Sequence, residues 1–145
     1  MDEKWSTASI CIISTDIYPD EINNLLKIKC TRSHQKGEPI NKRKPNGPKR
    51  KENLWILESG LETSKSMDLH LERIVEIIEN SIAEFKTLLP KCKIEISCGF
   101  SSGNGQGGFV INADLMRKLI IIPADIVMDL YPPESGVEMA SPFDK

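Results

Sequence analysis

Residues 92–112 read CKIEISCGFSSGNGQGGFVIN, and the interpretation of this stretch decides the fold. Its first part, Cys92–Phe100, alternates apolar and polar side chains, which predicts a half-buried strand. Gly103, Gly105 and Gly108 then have the G-x-G-x-x-G spacing of a dinucleotide-binding turn. Such a turn needs a helix directly after the glycines, whereas "GGFVIN" predicts another strand. We therefore interpret the glycines as a hairpin connection, with a phosphate site as the less favoured alternative.

The segments on either side predict further strands. Ala8–Ser14 and Asn53–Ser59 are short apolar runs rich in β-branched residues, which is typical of buried strands. Asp125–Tyr131 alternates again and predicts the last strand, and "KCTRS" is a weaker strand candidate. These segments, together with residues 92–112, predict a sheet.

Three helices are predicted between these strands. Pro19 and Asp20 suit the start of the first helix, with Asp20 or Thr15 as its cap. Apolar residues at steps of three or four predict one long helix, which is capped by Asp68 and ends at Pro90. "ADLMRKLII" predicts a short third helix with Asn112 as its cap.

The predicted order is β-α-(β)-β-α-β-β-α-β, which indicates an α+β fold. We expect a mostly antiparallel sheet with helices packed on one face. Its first part has the ferredoxin-like split β-α-β order, and a β-α-β unit is added after it. Residues 1–131 are expected to form a single domain, and the acidic residues 132–145 a loose C-terminal tail.

Composition and charge exclude some classes of protein. A net charge of −2 favours no class of partner, and no apolar run is long enough to predict a transmembrane helix. The four cysteines form no C-x-x-C pair, so we expect packed, reduced thiols, with a disulfide or a metal site as the less favoured alternative. The N-terminus does not resemble a secretory signal. We therefore expect a cytoplasmic protein that needs no membrane.

The ordered set of segments resembles a known family. A strand is followed by "DEINNLLKI", "CTRSHQKGEP", a basic spacer, "NLWILES", "DLHLERIVEII", a glycine-rich turn and "DIVMDLY". Together, from Ala8 to Tyr131, these segments resemble the bacterial "domain of unknown function 4279" family. Lys27 stands where the family pattern leads us to expect glycine, and Cys30 where it leads us to expect proline. The resemblance implies a small intracellular bacterial domain and carries no known activity.

A basic spacer, "NKRKPNGPKRK", lies in the middle of the chain. Two prolines, a glycine and six like charges cannot bury a core, so we expect a solvated, mobile loop over residues 41–51. One interpretation is a plain surface hairpin. The other is an electrostatic contact for a partner. Its candidate partner-binding residues are Lys42, Arg43, Lys44, Lys49, Arg50 and Lys51.

A second candidate site depends on the two histidines. His34 lies among cationic residues, and Trp55 and His70 are the other members of a small cationic and aromatic pocket if the chain brings them together. Such a pocket would hold a carboxylate or a phosphate group. Its candidate ligand-binding residues are Arg32, His34, Lys36, Trp55 and His70. The alternative is that Trp55 is a core residue and His70 a boundary residue with a hydrogen-bond partner.

These features leave three functional hypotheses. No carboxylate pair, nucleophile motif or zinc spacing is present, so we assign no catalytic residue, metal or cofactor, and enzyme activity is the less favoured interpretation. The leading hypothesis is a non-catalytic protein-interaction module. The second is a sensor or enzyme for a small anionic ligand. The third is weak nucleic-acid binding through the basic spacer, which has no interleaved aromatic residue to support it.

Overall fold

The structure is a computed structural model, and it describes residues 4–132. The predicted tail therefore lies almost entirely outside the described residues. The elements are β1 (Trp5–Ser14), α1 (Pro19–Leu26), β2 (Arg32–His34), β3 (Asn53–Glu58), α2 (Met67–Glu79), α3 (Ile82–Thr87), β4 (Lys93–Ser101), α4 (Ala113–Ile121) and β5 (Asp125–Leu130).

The strands form one mixed sheet in the order β2-β3-β1-β4-β5. β1 is central and pairs antiparallel with both β3 and β4, so that Cys11 lies between Ile56 and Glu95. β2 pairs antiparallel with β3, and β5 pairs parallel with β4. The first four strands thus have the ferredoxin-like order. The predicted α+β class is confirmed, and β4-α4-β5 is the added β-α-β unit.

The segment "GGFVIN" is not a strand, so this prediction was wrong. The backbone after β4 turns at glycines with positive φ, which is 86° at Gly103 and 83° at Gly105. Phe109 then packs its ring edge-on to Phe100 at 5.2 Å between centroids. Its apolar side chain is therefore used against the core, and the segment joins β4 to α4 as an irregular loop.

The predicted long helix is divided into α2 and α3. Ser81 has φ −135° and ψ 32°, which is not helical and interrupts the helix. The N-cap is Ser66 and not Asp68. The apolar stripe still faces inward on both sides of the break, because Ile78 in α2 and Phe85 in α3 are fully buried. Periodicity therefore predicted the buried face but not the interruption.

α1 also begins differently from the prediction. Its N-cap position is Tyr18, and not Asp20 or Thr15. The side chain of Glu21 accepts a hydrogen bond from the Tyr18 N–H at 3.4 Å. At the other end, Lys27 has φ 56° and ψ 36° and terminates the helix in the left-handed conformation. This is the position at which the resemblance leads us to expect glycine.

The hydrophobic core lies between one face of the sheet and the helices. Alternate residues of the central strands, such as Ile10, Ile12, Ile94 and Ile96, belong to this core. The helices contribute buried residues to the same cluster, among them Ile22, Leu71, Ile74, Phe85, Leu115 and Leu119. Because side chains alternate along a strand, the remaining residues of each strand face the opposite side. We call that side the second face of the sheet.

Candidate functional site

The second face carries a short excursion of the chain between β2 and β3. We call residues 37–50 the basic hairpin, because backbone hydrogen bonds join its two arms. The N–H of Gly37 donates to Arg50 O at 2.9 Å, the N–H of Arg50 to Glu38 O at 2.8 Å, and the N–H of Ile40 to Pro48 O at 3.0 Å. The spacer thus has a paired base and a turn at its tip. Mobility of that tip stays a prediction.

A groove of about 570 Å³ lies between the basic hairpin and the second face. Its floor is apolar and comes from three strands, with the half-buried Ile13, Leu54 and Val127 as its aliphatic groups. Ser97 of β4 contributes a hydroxyl. The residues that line this groove are Ile13, Ile40, Pro48, Lys49, Arg50, Lys51, Glu52, Asn53, Leu54, Glu95, Ser97, Val127 and Asp129.

The charged residues of the groove are unevenly distributed. Lys49, Arg50 and Lys51 come from the hairpin side together with one acid, Glu52, whereas β4 and β5 contribute only the acids Glu95 and Asp129. The strand register explains the acidic side, because Glu95 and Asp129 lie at alternate positions that point to the second face. The groove therefore offers a basic wall, an acidic wall and an apolar floor between them.

Neighbouring charges neutralise only part of the acidic wall. Lys93 Nζ lies 3.2 Å from Glu95 Oε1 and 3.8 Å from Asp125 Oδ2. The hydrogen bond that Lys93 donates to Glu95 raises the pKa of Lys93, so this ammonium group stays charged at neutral pH. Asp129 forms no ion pair with any residue between 4 and 132. The carboxylate of Asp129 is therefore available to a ligand.

The six predicted partner-binding residues fall into two groups, one that lines the groove and one at the tip of the basic hairpin. Lys49, Arg50 and Lys51 line the groove. Lys42, Arg43 and Lys44 lie in the tip, where the N–H of Lys44 donates to Asn41 O at 2.9 Å. The tip is exposed and does not line the groove. Only half of the predicted set therefore belongs to this site.

The five predicted ligand-binding residues do not meet in one pocket. Arg32 and His34 pair with Ile56 and Leu54 in the sheet, so their side chains face the second face. Trp55 faces the opposite side, where it is fully buried in the core. The Trp55 indole N–H donates to Asn23 Oδ1 at 2.7 Å. The sheet thus separates Trp55 from Arg32 and His34.

His70 and Lys36 are also engaged elsewhere. His70 lies on α2, is 1% exposed, and has its Nδ1 2.7 Å from Ser59 Oγ. Burial lowers the pKa of His70, and the backbone carbonyls of Glu62 and Lys65 partly oppose this shift. Lys36 donates its backbone N–H to Asn53 Oδ1 at 2.8 Å, and its side chain is exposed. The proposed cationic and aromatic pocket does not form from these residues.

The cysteines do not form a reactive centre in the described part of the chain. All four are free thiols, and Cys11, Cys92 and Cys98 are buried. Burial raises the pKa of Cys11 to about 12 and that of Cys98 to about 11. Both thiols are therefore protonated at neutral pH, and a thiolate is the nucleophilic form. No group of three His, Cys, Asp or Glu side chains within residues 4–132 could hold a metal ion.

The glycine-rich segment lies beside a smaller cavity of about 240 Å³. The N-terminal ends of α2 and α4 both contribute to it, through Ser66 and Asn112, and Lys4 adds a positive charge. Asn112 Oδ1 already accepts the N–H of Leu115 at 2.8 Å, and Asp68 places a carboxylate in the lining. α4 begins only after residues 109–112, so the glycines are not adjacent to its N-terminus. This geometry does not reproduce a dinucleotide-binding turn.

The sequence interpretation missed the acidic wall and the apolar floor. The signal was present, because the strict alternation of β4 and β5 places Glu95 with Ser97, and Val127 with Asp129, on the same side of each strand. What the alternation could not supply was the pairing of β4 with β5, or the position of the basic hairpin over the same face. The groove therefore exists only because of the order in which the strands pair in the sheet.

Comparisons with known proteins agree with the sequence resemblance. The family model described as Domain of unknown function (DUF4279) matches residues 3–133. The chain has no match among curated proteins and none among solved structures. None of the helices between residues 4 and 132 has the length and apolar character that crossing a bilayer requires. Because the family model matches almost the whole sequence, the chain belongs to the DUF4279 family.

Proposed function

We propose that this domain is a non-catalytic protein-interaction module, and that its groove binds an extended segment of a partner protein. The observation that carries the proposal is the opposition of charge across the groove, with Lys49 and Lys51 on one side and Glu95 and Asp129 on the other. A polypeptide segment can present acidic, basic and apolar side chains in succession. It can therefore match the basic wall, the acidic wall and the floor together.

The same charges make a nucleic acid the weaker candidate. A phosphate backbone is attracted to cationic side chains and repelled by carboxylates. Glu52, Glu95 and Asp129 line the groove beside the three basic residues, so the lining carries no excess of positive charge. No aromatic side chain lines the groove to stack on a base. A partner of mixed charge fits this lining better.

The chemistry of the lining favours binding over catalysis. Neither histidine and none of the cysteines belongs to the groove lining. General acid–base catalysis most often uses a histidine. The groove residues offer charged side chains, a hydroxyl and aliphatic surface, which are the groups that recognise a segment of chain.

A matched pair of charge-reversal variants tests this proposal. Lys49→Glu with Lys51→Glu changes the basic wall of the groove. Lys42→Glu with Lys44→Glu makes the same change in net charge at the hairpin tip and serves as the control. Both variants and the unmodified chain are immobilised and used to capture proteins from a lysate of the source cells. Each captured protein is then identified and its affinity is measured with purified components.

We expect the groove variant to lose a specific partner or to bind it roughly tenfold or more weakly, because reversed charges face a complementary surface. The tip variant should retain the partner. Asp129→Lys provides a second variant on the acidic wall and should also weaken binding. Equal affinities for all three variants and the unmodified chain would reject the groove as the binding site.

A small zwitterionic molecule is the second candidate for the groove. Its volume of about 570 Å³ lies within the range of roughly 300 to 1,000 Å³ that is usual for small-molecule sites. A carboxylate would face the basic wall and an ammonium group the acidic wall. Thermal-shift measurements with amino acids and short peptides test this candidate, and stabilisation that Lys49→Glu with Lys51→Glu abolishes would support it.

A further inference from the structure

The cavity beside the glycine-rich segment lies on the helix side of the sheet, where α2 and α4 both begin. We call it the helix-end cavity, and its volume is about 240 Å³. Ser6 of β1 pairs directly with Phe100 of β4, and Phe100 belongs to the core cluster, so both side chains point to the helix side. The sheet therefore separates this cavity from the groove. The residues that line it are Lys4, Ser6, Ser66, Met67, Asp68, Phe100, Gly108, Phe109, Val110 and Asn112.

The side chain of Ser6 is a buried polar group that lines this cavity. Ser6 is 3% exposed, and its hydroxyl forms no hydrogen bond with any residue between 4 and 132. Its backbone N–H, in contrast, donates to Thr63 O at 2.9 Å. Buried hydroxyl groups normally have a hydrogen-bond partner, because burial without one costs free energy. The hydroxyl of Ser6 therefore points to a polar ligand group in the cavity.

Backbone N–H groups at the start of α2 lie at the same cavity. Met67 and Asp68 are the first two residues of this 13-residue helix, and their N–H groups form no hydrogen bond within the described part of the chain. The N-cap Ser66 makes no capping hydrogen bond with its side chain. A helix N-terminus carries a partial positive charge, and its free N–H groups bind anions. Asn112, the N-cap of α4, brings a second helix N-terminus to the lining.

The other side chains of the cavity favour an anion of single charge with an apolar body. Lys4 Nζ lies 5.9 Å from the centroid of the Phe100 ring, and Lys4 lines the cavity. The carboxylate of Asp68 is also in the lining, and it repels a dianion more strongly than a monoanion. Phe109 and Val110 join Phe100 as apolar surface, which suits the hydrocarbon part of a ligand.

We propose that the helix-end cavity binds a small monocarboxylate. The N–H groups of Met67 and Asp68 and the hydroxyl of Ser6 donate hydrogen bonds to its carboxylate group, and its carbon chain contacts Phe100 and Phe109. The cavity is smaller than the roughly 300 to 1,000 Å³ that is usual for drug-sized ligands, so the carbon chain is short. This site is distinct from the groove, and it does not depend on the function proposed for the groove.

Binding of butyrate to the full chain tests the site. We expect saturable binding by isothermal titration calorimetry, with a dissociation constant in the millimolar range or below. Backbone amide NMR signals should shift at Met67 and Asp68 and stay unchanged in the basic hairpin. Butyramide has nearly the same shape without the negative charge and should not bind. Inorganic phosphate should bind more weakly than butyrate, because Asp68 repels its second charge.

Two substitutions on β1 provide a matched pair. Ser6→Ala removes the buried hydroxyl, and Ser9→Ala removes a hydroxyl from the opposite face of the same strand. Both variants should keep the circular dichroism spectrum of the unmodified chain. Ser6→Ala should bind butyrate roughly tenfold or more weakly, because a hydrogen bond to a charged acceptor is lost. Ser9→Ala should bind it as the unmodified chain does, and Asp68→Asn should bind it more tightly because a like charge is removed.

Several outcomes would overturn the proposal. They are undetectable binding of butyrate, equal affinities of Ser6→Ala and Ser9→Ala, and weaker binding by Asp68→Asn. Tighter binding of phosphate than of butyrate would also overturn it, since the site would then select a dianion. Lys49→Glu with Lys51→Glu changes only the groove and should leave butyrate binding unchanged. Loss of binding in that variant would place the ligand in the groove and reject the helix-end cavity.

Discussion

The rings of Trp5 and Tyr131 lie 5.0 Å apart between centroids, tilted by 47°, on the second face of the sheet. They meet above Gly99 of β4, where a Cβ atom would lie 3.2 Å from Trp5 Cζ3 and 3.6 Å from Tyr131 Cε2. The absence of a side chain at Gly99 is therefore what allows the first and last strands to be joined by an aromatic contact across β4.

Gly99→Ala tests this close approach. The new Cβ would lie 2.7 Å from Thr7 Oγ1, which is shorter than a van der Waals contact. We expect the free energy of unfolding to fall by about 1–3 kcal/mol, as for other overpacked sites, with a change in tryptophan fluorescence. Adding Thr7→Ala should recover part of the loss. Gly108→Ala is the control, because no atom lies within 4 Å of its Cβ position, and it should change stability by less than about 0.5 kcal/mol.

The backbone conformation of Lys27 predicts that replacing this residue with glycine stabilises the fold. It is the only non-glycine residue with positive φ among residues 4–132, and a side chain in this conformation is strained. Lys27→Gly should increase the free energy of unfolding by about 0.5–1 kcal/mol, measured by urea denaturation. Lys29→Gly removes the same charge two positions later, where φ is not positive, and should not stabilise. Equal effects of the two substitutions would contradict the backbone explanation.

The side chain of Asn23 links α1 to the sheet. Its two hydrogen bonds predict which of two substitutions lowers the free energy of unfolding more. Its Oδ1 accepts the Trp55 indole N–H at 2.7 Å and the Cys30 backbone N–H at 3.0 Å. Trp55→Phe removes one donor and should cost about 1–3 kcal/mol, whereas Asn23→Ala leaves two donors without an acceptor and should cost more. A double-mutant cycle by chemical denaturation should give a coupling energy of about 1 kcal/mol. Additive losses would show that the hydrogen bond contributes little.

The lowered pKa of His70 predicts how the stability of the folded protein depends on pH. Burial lowers its pKa below 6.5 in the folded protein, so the unfolded chain takes up a proton first as the pH falls. This contribution to stability is complete above about pH 6.5 and decreases below it, with a slope of at most about 1.4 kcal/mol per pH unit.

In His70→Asn the amide can still reach Ser59, but the titrating group is absent. We expect the decline in stability between pH 7 and pH 5 to be shallower in this variant, and NMR titration of the His70 ring to report the lowered pKa directly. Parallel pH profiles for the variant and the unmodified chain would refute the assignment.

The success and failure of the sequence predictions have identifiable causes. Alternation located β4 and β5 as strands but did not predict their burial, because β4 is covered on both faces from Ile96 to Ser101 and β5 leaves Ile126, Met128 and Leu130 exposed. It failed for Phe109 and Ile111, whose apolar side chains pack against the core from a loop. Helical spacing identified Ile78 and Phe85 as buried, but it could not show that Ser81 leaves the helical conformation.

The candidate site, too, could be predicted only in part from the sequence. The charges of Lys49 and Lys51 were identified in the sequence as a candidate partner-binding segment, since a run of like charges cannot be buried. The acidic residues opposite them, Glu95 and Asp129, lie far away in the chain and were not connected with it. The cationic and aromatic pocket failed because Trp55 and Arg32 sit at positions of opposite orientation in adjacent strands.

The sequence by itself determined the local structure and its periodicity. It also determined the α+β class and the buried face of the helices, because these depend on side chains within a few residues of one another. Only the tertiary structure decided that β5 pairs parallel with β4, that the basic hairpin lies over the acidic strands, and that the edge of β5 stays apolar and exposed. Those features arise from contacts between segments distant in sequence, and the free energy of such contacts depends on the packing of the whole sheet.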